Sequence, residues 1–304
     1  MPFRFRDPGD LAGETARIAT EQIDRALGET RDDSLDVHGK IHQARKRCKK
    51  LRGLLRLVRP AIGSAYKKEN VWFRDSVRPL SDLRDARVML ATYDDVMDFF
   101  SDEVDRRAFA PLRRRLTFRM RDVLSESAAP DGGIDGFRKR MKQARDRVPV
   151  WSSRVRDPDA LSAGAGKTYR RGRNAMSSAR AHADGSKFHE WRKRVKYHWI
   201  HCRLLLDAWD PMISARAEES KHLSDLLGEE HDLTVFRHLL HEHPDLAAAE
   251  TRQAAMLAML DRRRAMLRRD AVVLGKRLFA PDPEALEEEF RQFLAAWSEE
   301  EGGD

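Results

Sequence analysis

The chain has 304 residues, 58 Lys+Arg against 50 Asp+Glu, and a net charge of +8. No apolar run approaches the roughly 20 residues of a membrane-spanning helix. The opening MPFRFRDPGD lacks the apolar core of a secretory signal, and two cysteines, Cys48 and Cys202, exclude a disulfide scaffold or a four-cysteine zinc site. With 41% hydrophobic residues the chain can bury a core, so a folded cytoplasmic protein without a membrane partner is expected.

Strong helix formers dominate, and no stretch alternates apolar and polar residues for long, so the expected fold class is all-α. In chain order, helices are expected near 10–29, 36–59, 66–92, 94–127, 134–147, 160–183, 187–209, 212–241, 246–278 and 283–299. Asp36 is a candidate N-cap for the second of these, and Pro60 stops it. APDGG at 129–133 reads as a turn, and SAGAG at 162–166 as a flexible helix entry. Ser186 is a candidate N-cap for a strongly basic helix, with Pro211 closing that region. The expected boundary lies in 148–166, dividing the chain into halves 1–148 and 149–304. Residues 284–304 carry −7, leaving +15 on residues 1–283. Phe290, Leu294 and Trp297 fall at i, i+4 and i+7, which favours a final amphipathic helix.

An internal repeat organises the sequence. Residues 42–57, HQARKRCKKLRGLLRL, align with residues 189–204, HEWRKRVKYHWIHCRL, at an offset of 147 with seven of sixteen positions identical. The same offset aligns LSDLRDARV at 80–88 with LGEEHDLTV at 227–235, where Asp85 meets Asp232. Composition alone accounts for one basic match. A second motif in the same register argues for a true repeat.

At 100° per residue, Ile41, Ala44, Cys48, Leu51, Leu55 and Val58 form one stripe, which should pack in a core. Beside it runs a line of His42, Arg45, Lys49, Arg52 and Arg56. In the repeat, Phe188, Trp191, Val195 and Cys202 are apolar, and His189, Arg192, Lys196 and Arg203 form the neighbouring line. Lys46 and Lys193 also match. Residues 38–59 hold nine Lys/Arg and no acid. Solvated helix faces usually mix signs, because like charges at helical spacing repel. An uncompensated row of cations therefore suggests a polyanion partner. Arg outnumbers Lys 44 to 14, and the planar guanidinium suits phosphate oxygens. A third basic stretch, KTYRRGR at 167–173, has no acid either; Tyr169, Arg170 and Arg173 are a candidate flanking contact.

The remaining signals are weaker. His42 and His189 are in line with cations, so donation to phosphate and structural support both stand as readings. His198/His201 and His238/His241 have i,i+3 spacing without an acidic partner motif, so no metal site is expected. Asp85 and Asp232 read as carboxylates that orient a basic side chain, with general acid–base work as the alternative. Cys48 and Cys202 read as buried thiols. There is no Gly-rich phosphate loop, GxSxG or catalytic triad, so neither catalytic residues nor a cofactor are expected.

The two basic helices, followed at equal spacing by LRD and EHD, and the YRRGR element resemble the CHAD domain, the conserved-histidine α-helical family. The resemblance covers roughly residues 10–300. It implies two helical bundles related by a pseudo-two-fold axis, with basic faces lining a central channel or groove. It also implies binding of inorganic polyphosphate and association with polyphosphate granules. Some relatives carry a fused triphosphatase domain; this chain has no ExExK signature, so that activity is not implied. Arg52 maps to Trp199, Lys50 to Tyr197 and Arg84 to His231, which makes the second half less basic. Nucleic acid shares the electrostatic footprint and is the alternative partner. A regulatory module for enzymes of phosphate esters or polyphosphate is a third reading.

Overall fold

The computed structural model describes residues 3–80, 82–126, 130–182 and 184–302, without the side chains of 82–86, 123–126, 130–132, 301 and 302. Among the described residues there are twelve α-helices and no strand. The first six are α1 (Leu11–Glu29), α2 (Val37–Leu57), α3 (Arg59–Ile62), α4 (Ala65–Ser76), α5 (Asp82–Phe99) and α6 (Ala110–Glu126). The rest are α7 (Pro130–Ser152), α8 (Asp159–His182), α9 (Gly185–Leu204), α10 (Asp210–Glu242), α11 (Glu250–Leu278) and α12 (Pro283–Gly302).

Local chemistry sets most of these ends. Asp36 caps α2 as expected, its Oδ1 accepting from the Gly39 amide at 2.7 Å. The cap of α9 is Asp184, whose Oδ1 accepts from the Ser186 amide at 3.1 Å; Ser186 is already inside the helix. Pro60 and Pro211 sit in the first turns of α3 and α10, where a missing N–H costs nothing. The preceding α-helices end at Leu57 and Leu204, before each proline as expected, and each proline also begins the next helix.

Several boundaries depart from the expected positions, and the helix expected over 94–127 is interrupted between Phe99 and Ala110, where Arg106–Phe109 form a 3-10 turn. The helix expected over 66–92 breaks after Ser76, where Arg78–Leu80 form a 3-10 turn around Pro79. Proline removes a donor and pushes the preceding residue out of the helical region. Residues 92–97 stay helical because Tyr93, Val96 and Met97 are all buried in one core. The turn expected at 129–133 opens α7 from Pro130, and SAGAG lies inside α8. A Cβ at Gly164 would fall 1.8 Å from the Leu57 carbonyl oxygen. That glycine lets α8 approach the end of α2; flexibility is not its role.

Two apolar cores result. The larger joins α1, α2, α4, α7, α8, α9 and α12 with the start of α10 and the end of α11. The smaller joins α5, α6, the end of α10 and the start of α11. Both draw residues from either side of residue 148. All six residues of the α2 stripe are buried, as are Phe188, Trp191, Val195 and Cys202 of α9. Burial pushes both thiols, Cys48 and Cys202, up to about 12, and both are free. Phe290, Leu294 and Trp297 are buried too, so the acidic end does fold as a helix.

The contact of α2 with α9 positions everything that follows. A Cβ at Gly53 would lie 2.3 Å from Ile200 Cγ2, so the absent side chain allows the close crossing. His201 Nε2 donates to the Gly53 carbonyl at 3.1 Å across it. Gly53 and Ile200 are themselves separated by the 147-residue offset.

Candidate functional site

Burying their apolar stripes turns the cation lines of α2 and α9 toward each other. Two adjoining cavities, of about 240 and 340 Å³, open along this seam. Arg45 and Lys49 from α2 and Arg192 and Lys196 from α9 line both. These four are two pairs of like residues, each pair 147 residues apart.

The first cavity has seven Lys/Arg in its lining and no acid. Beyond the shared four they are Lys46, Lys50 and Arg203, with His42 beside them. Phe3, Trp199 and Ile200 supply its apolar wall. Phe3 is brought there by the N-terminal segment, where the Phe5 amide donates to the Leu204 carbonyl at 2.9 Å. The second cavity adds Arg52, Lys193 and His189, with Asp232 its one acid. A third hollow continues from Arg192 and Lys196 toward α5 and α10, and there acids outnumber bases. The seam is thus strongly cationic at one end and acidic at the other.

Each expected residue can now be placed. His42, Arg45, Lys46, Lys49, Arg52, His189, Arg192, Lys193, Lys196 and Arg203 come together along the two cavities. Arg52 Nε also donates to Asn70 Oδ1 at 3.2 Å, and Lys193 and Arg194 pair with Glu190. Four expected contacts lie elsewhere. Arg56 is buried, stacked 3.8 Å above the Tyr197 ring, and donates to Asn70 at 2.7 Å and to the Arg52 carbonyl at 2.8 Å. Tyr169 is fully buried, its hydroxyl donating to the Pro281 carbonyl at 2.9 Å. Arg170 pairs with Glu284 at 2.8 Å and Arg173 with Asp282 at 2.6 Å. This part of YRRGR therefore anchors α8 to the start of α12. Asp232 lines the second cavity and the acidic hollow; the Asp85 side chain lies outside the described residues.

The histidines divide into two kinds. His189 and His231 stack with ring centroids 4.0 Å apart and their Nδ1 atoms 3.1 Å apart. At that separation one ring donates and the other accepts. Burial, then Lys193 and Arg192, lower the pKa of His189, favouring neutral imidazole. His198 and His201 are wholly buried instead. His201 turns to α2, and burial pushes its pKa down to about 3. His198 packs against Tyr169 with centroids 5.3 Å apart. The i,i+3 pair therefore points to different partners.

Two contributors had no clear signal in the sequence. Lys50 lies outside the helical line of five, yet its Nζ sits 4.7 Å over the Phe3 ring in the first cavity. Burial, then Arg47, Arg203 and Lys46, push its pKa down to about 8. Phe3 comes from a segment with no periodicity. Conversely Arg47, which matches Arg194 at the 147-residue offset, is buried and serves structure: its Nε donates to Glu29 at 2.9 Å.

A sequence profile described as the CHAD domain matches residues 16–241. The uncharacterized protein Rv2226 of Mycobacterium tuberculosis strain H37Rv is 26% identical over 274 residues, covering 77% of this chain and 48% of that protein. The uncharacterized protein MT2285 of strain CDC 1551 of the same species aligns with the same figures: 26% over 274 residues, 77% and 48%. The chain thus spans about half the length of the curated relatives it matches. No solved structure matches it. No described helix is long and apolar enough to cross a membrane. With three quarters of its length inside the profile match, and with both basic helices within it, this chain belongs to the CHAD domain family.

Proposed function

We propose that the α2–α9 seam is a groove for inorganic polyphosphate, and that the protein binds this polymer without turning it over. One observation carries the reading. Repeat-mate cations from two helices, Arg45 with Arg192 and Lys49 with Lys196, line the same two cavities. A polyanion without bases needs only a rigid double row of donors. Charge-assisted bonds from guanidinium and ammonium groups supply affinity, and counterion release makes it salt-dependent. If both rings are neutral, the Nδ1-to-Nδ1 bond between His189 and His231 leaves one Nε2–H to donate within the same row. Asp232, and Asp85 by its matching position, would orient neighbouring basic side chains.

Family membership supports this reading, as does the 147-residue offset, from which we infer two related halves, 1–148 and 149–304. We place the protein in the cytoplasm, at polyphosphate granules. A nucleic-acid reading is less favoured by the aromatic rings. Phe3, Trp199 and Tyr197 line the cavities, but Lys50, Arg203 and Arg56 sit 4.7, 5.3 and 3.8 Å from their centroids. Each ring already carries a cation where a base would stack. A module regulating a phosphate-handling enzyme remains compatible with the same groove.

The deciding measurement is salt-titrated binding of long-chain polyphosphate, single-stranded DNA and RNA in direct competition. Polyphosphate should win at equal charge concentration. Displacement of polyphosphate by nucleic acid would overturn the proposal.

A further inference from the structure

The line of cations does not end at the groove. Arg59 follows Arg52 by seven residues, about 10 Å along the axis at 1.5 Å per residue. It opens α3, just past the end of α2, and is absent from the linings of the cavities described above. Lys167 and Arg171 approach it from α8, a helix that packs on α3. Burial, then Arg171, lowers the pKa of Arg59, and Arg59 is the first cause lowering that of Lys167. The three are therefore electrostatic neighbours.

The placement gives the KTYRRGR stretch two faces. Tyr169 and Arg173 share one side of α8, and Lys167 and Arg171 lie nearly opposite, four residues apart. The first face is satisfied, since Tyr169 bonds backbone carbonyls and Arg173 pairs with Asp282. The second face is not. Lys167 and Arg171 are exposed, and neither they nor Arg59 form an ion pair among the described residues. Arg194, from α9, is the next cation toward Arg59, and it is held by Glu190. Glu287 packs against Gly166, one residue before Lys167, without pairing with it. Arg59 stacks 5.2 Å from the Tyr66 ring, and its Nε and Nη2 are buried without an acceptor. Buried donors are normally matched, so two unmatched N–H groups beside two exposed cations call for an acceptor.

We propose that Arg59, Lys167 and Arg171 form a second oxyanion site, separate from the groove and suited to a phosphoryl group. The ligand is either the end of a polyphosphate chain held in the groove or a free phosphate group. Only the first of these rests on the polyphosphate reading of the groove.

The test compares wild type, K167E/R171E and the groove variant R45E/R192E by calorimetry, using tripolyphosphate and long-chain polyphosphate. Lys167 and Arg171 are exposed, so K167E/R171E should keep the wild-type helical spectrum. The expected result is roughly tenfold weaker long-chain binding in K167E/R171E, with the salt slope reduced by about 1.4 for two cations. A loss confined to the long chain assigns the site to a chain end. Loss of one tripolyphosphate per protein as well assigns it to free phosphate groups. Unchanged affinity and stoichiometry with both probes would overturn the second site. If R45E/R192E loses binding of both probes while K167E/R171E loses neither, the second site falls and the groove stands. The reverse pattern removes the groove and keeps the second site.

Discussion

Two regions of this molecule are rich in arginine, and they use it differently. In the lobe built by α5, α6, α10 and α11, arginines meet carboxylates. Arg113 pairs with Asp94 at 2.8 Å, Arg263 with Glu229 at 2.6 Å, and Arg268 with buried Glu230 at 2.6 Å. Along the α2–α9 seam, seven cations line one cavity that has no acid in its wall. Counting basic residues does not separate these regions. What separates them is whether acids line the same cavity as the bases, and that depends on which helix faces are brought together.

The sharpest way to break this contrast is charge reversal at the seam. Arg45→Glu with Arg192→Glu should weaken polyphosphate binding on the order of 100-fold or more, with helicity retained by circular dichroism. The matched control is Arg113→Ala in the paired lobe, which should leave affinity unchanged. Retained affinity in the double variant would place the site elsewhere.

A smaller effect should come from spreading the two rows without touching a charge. Gly53→Ala puts a methyl group against Ile200, and overpacking of this kind costs about 1–3 kcal/mol. Denaturant unfolding should show that loss, and polyphosphate affinity should fall with it, because both cavities are framed by this crossing.

Acid should weaken the seam through its buried imidazoles. The folded pKa of His201 is about 3 against an ordinary 6.5, and that of His198 is also lowered, in both cases first by burial. The unfolded chain then binds more protons below pH 6.5. Stability present above pH 6.5 is therefore lost as the pH falls toward 3, by up to about 1.4 kcal/mol per pH unit for each group. Urea midpoints at pH 7, 6 and 5 should fall in that order, and His201→Gln should flatten the trend.

The mildest expected effect concerns Lys50. Its amine loses its proton as the pH rises through about 8, removing one cation from the first cavity. Polyphosphate affinity should fall roughly threefold between pH 7 and 9 in wild type and stay flatter in Lys50→Arg, whose charge persists. An identical pH profile in both proteins would show that Lys50 does not contact the ligand.

Much of this was legible in one dimension. The apolar stripes of α2 and α9 named the buried faces correctly, and the cation line followed as the neighbouring face. The offset of 147 picked out Arg45/Arg192 and Lys49/Lys196, the pairs that converge. Helical periodicity could not separate Arg52, at the second cavity, from Arg56 four residues on, which stacks on Tyr197. Nor could it separate the anchoring face of α8 from its exposed one.

The sequence by itself determined the helical class, the matching basic motifs at an offset of 147, and which side of each basic helix must be buried. These depend on spacing along one chain, and spacing is local. The tertiary structure alone decided which cations meet an acid, which meet a ring and which meet one another. Glu284 reaches Arg170 across 114 residues, and Phe3 closes a cavity walled by Trp199 and Arg203. Pairing of charges is set by distance in space, and no periodicity encodes the approach of segments so far apart.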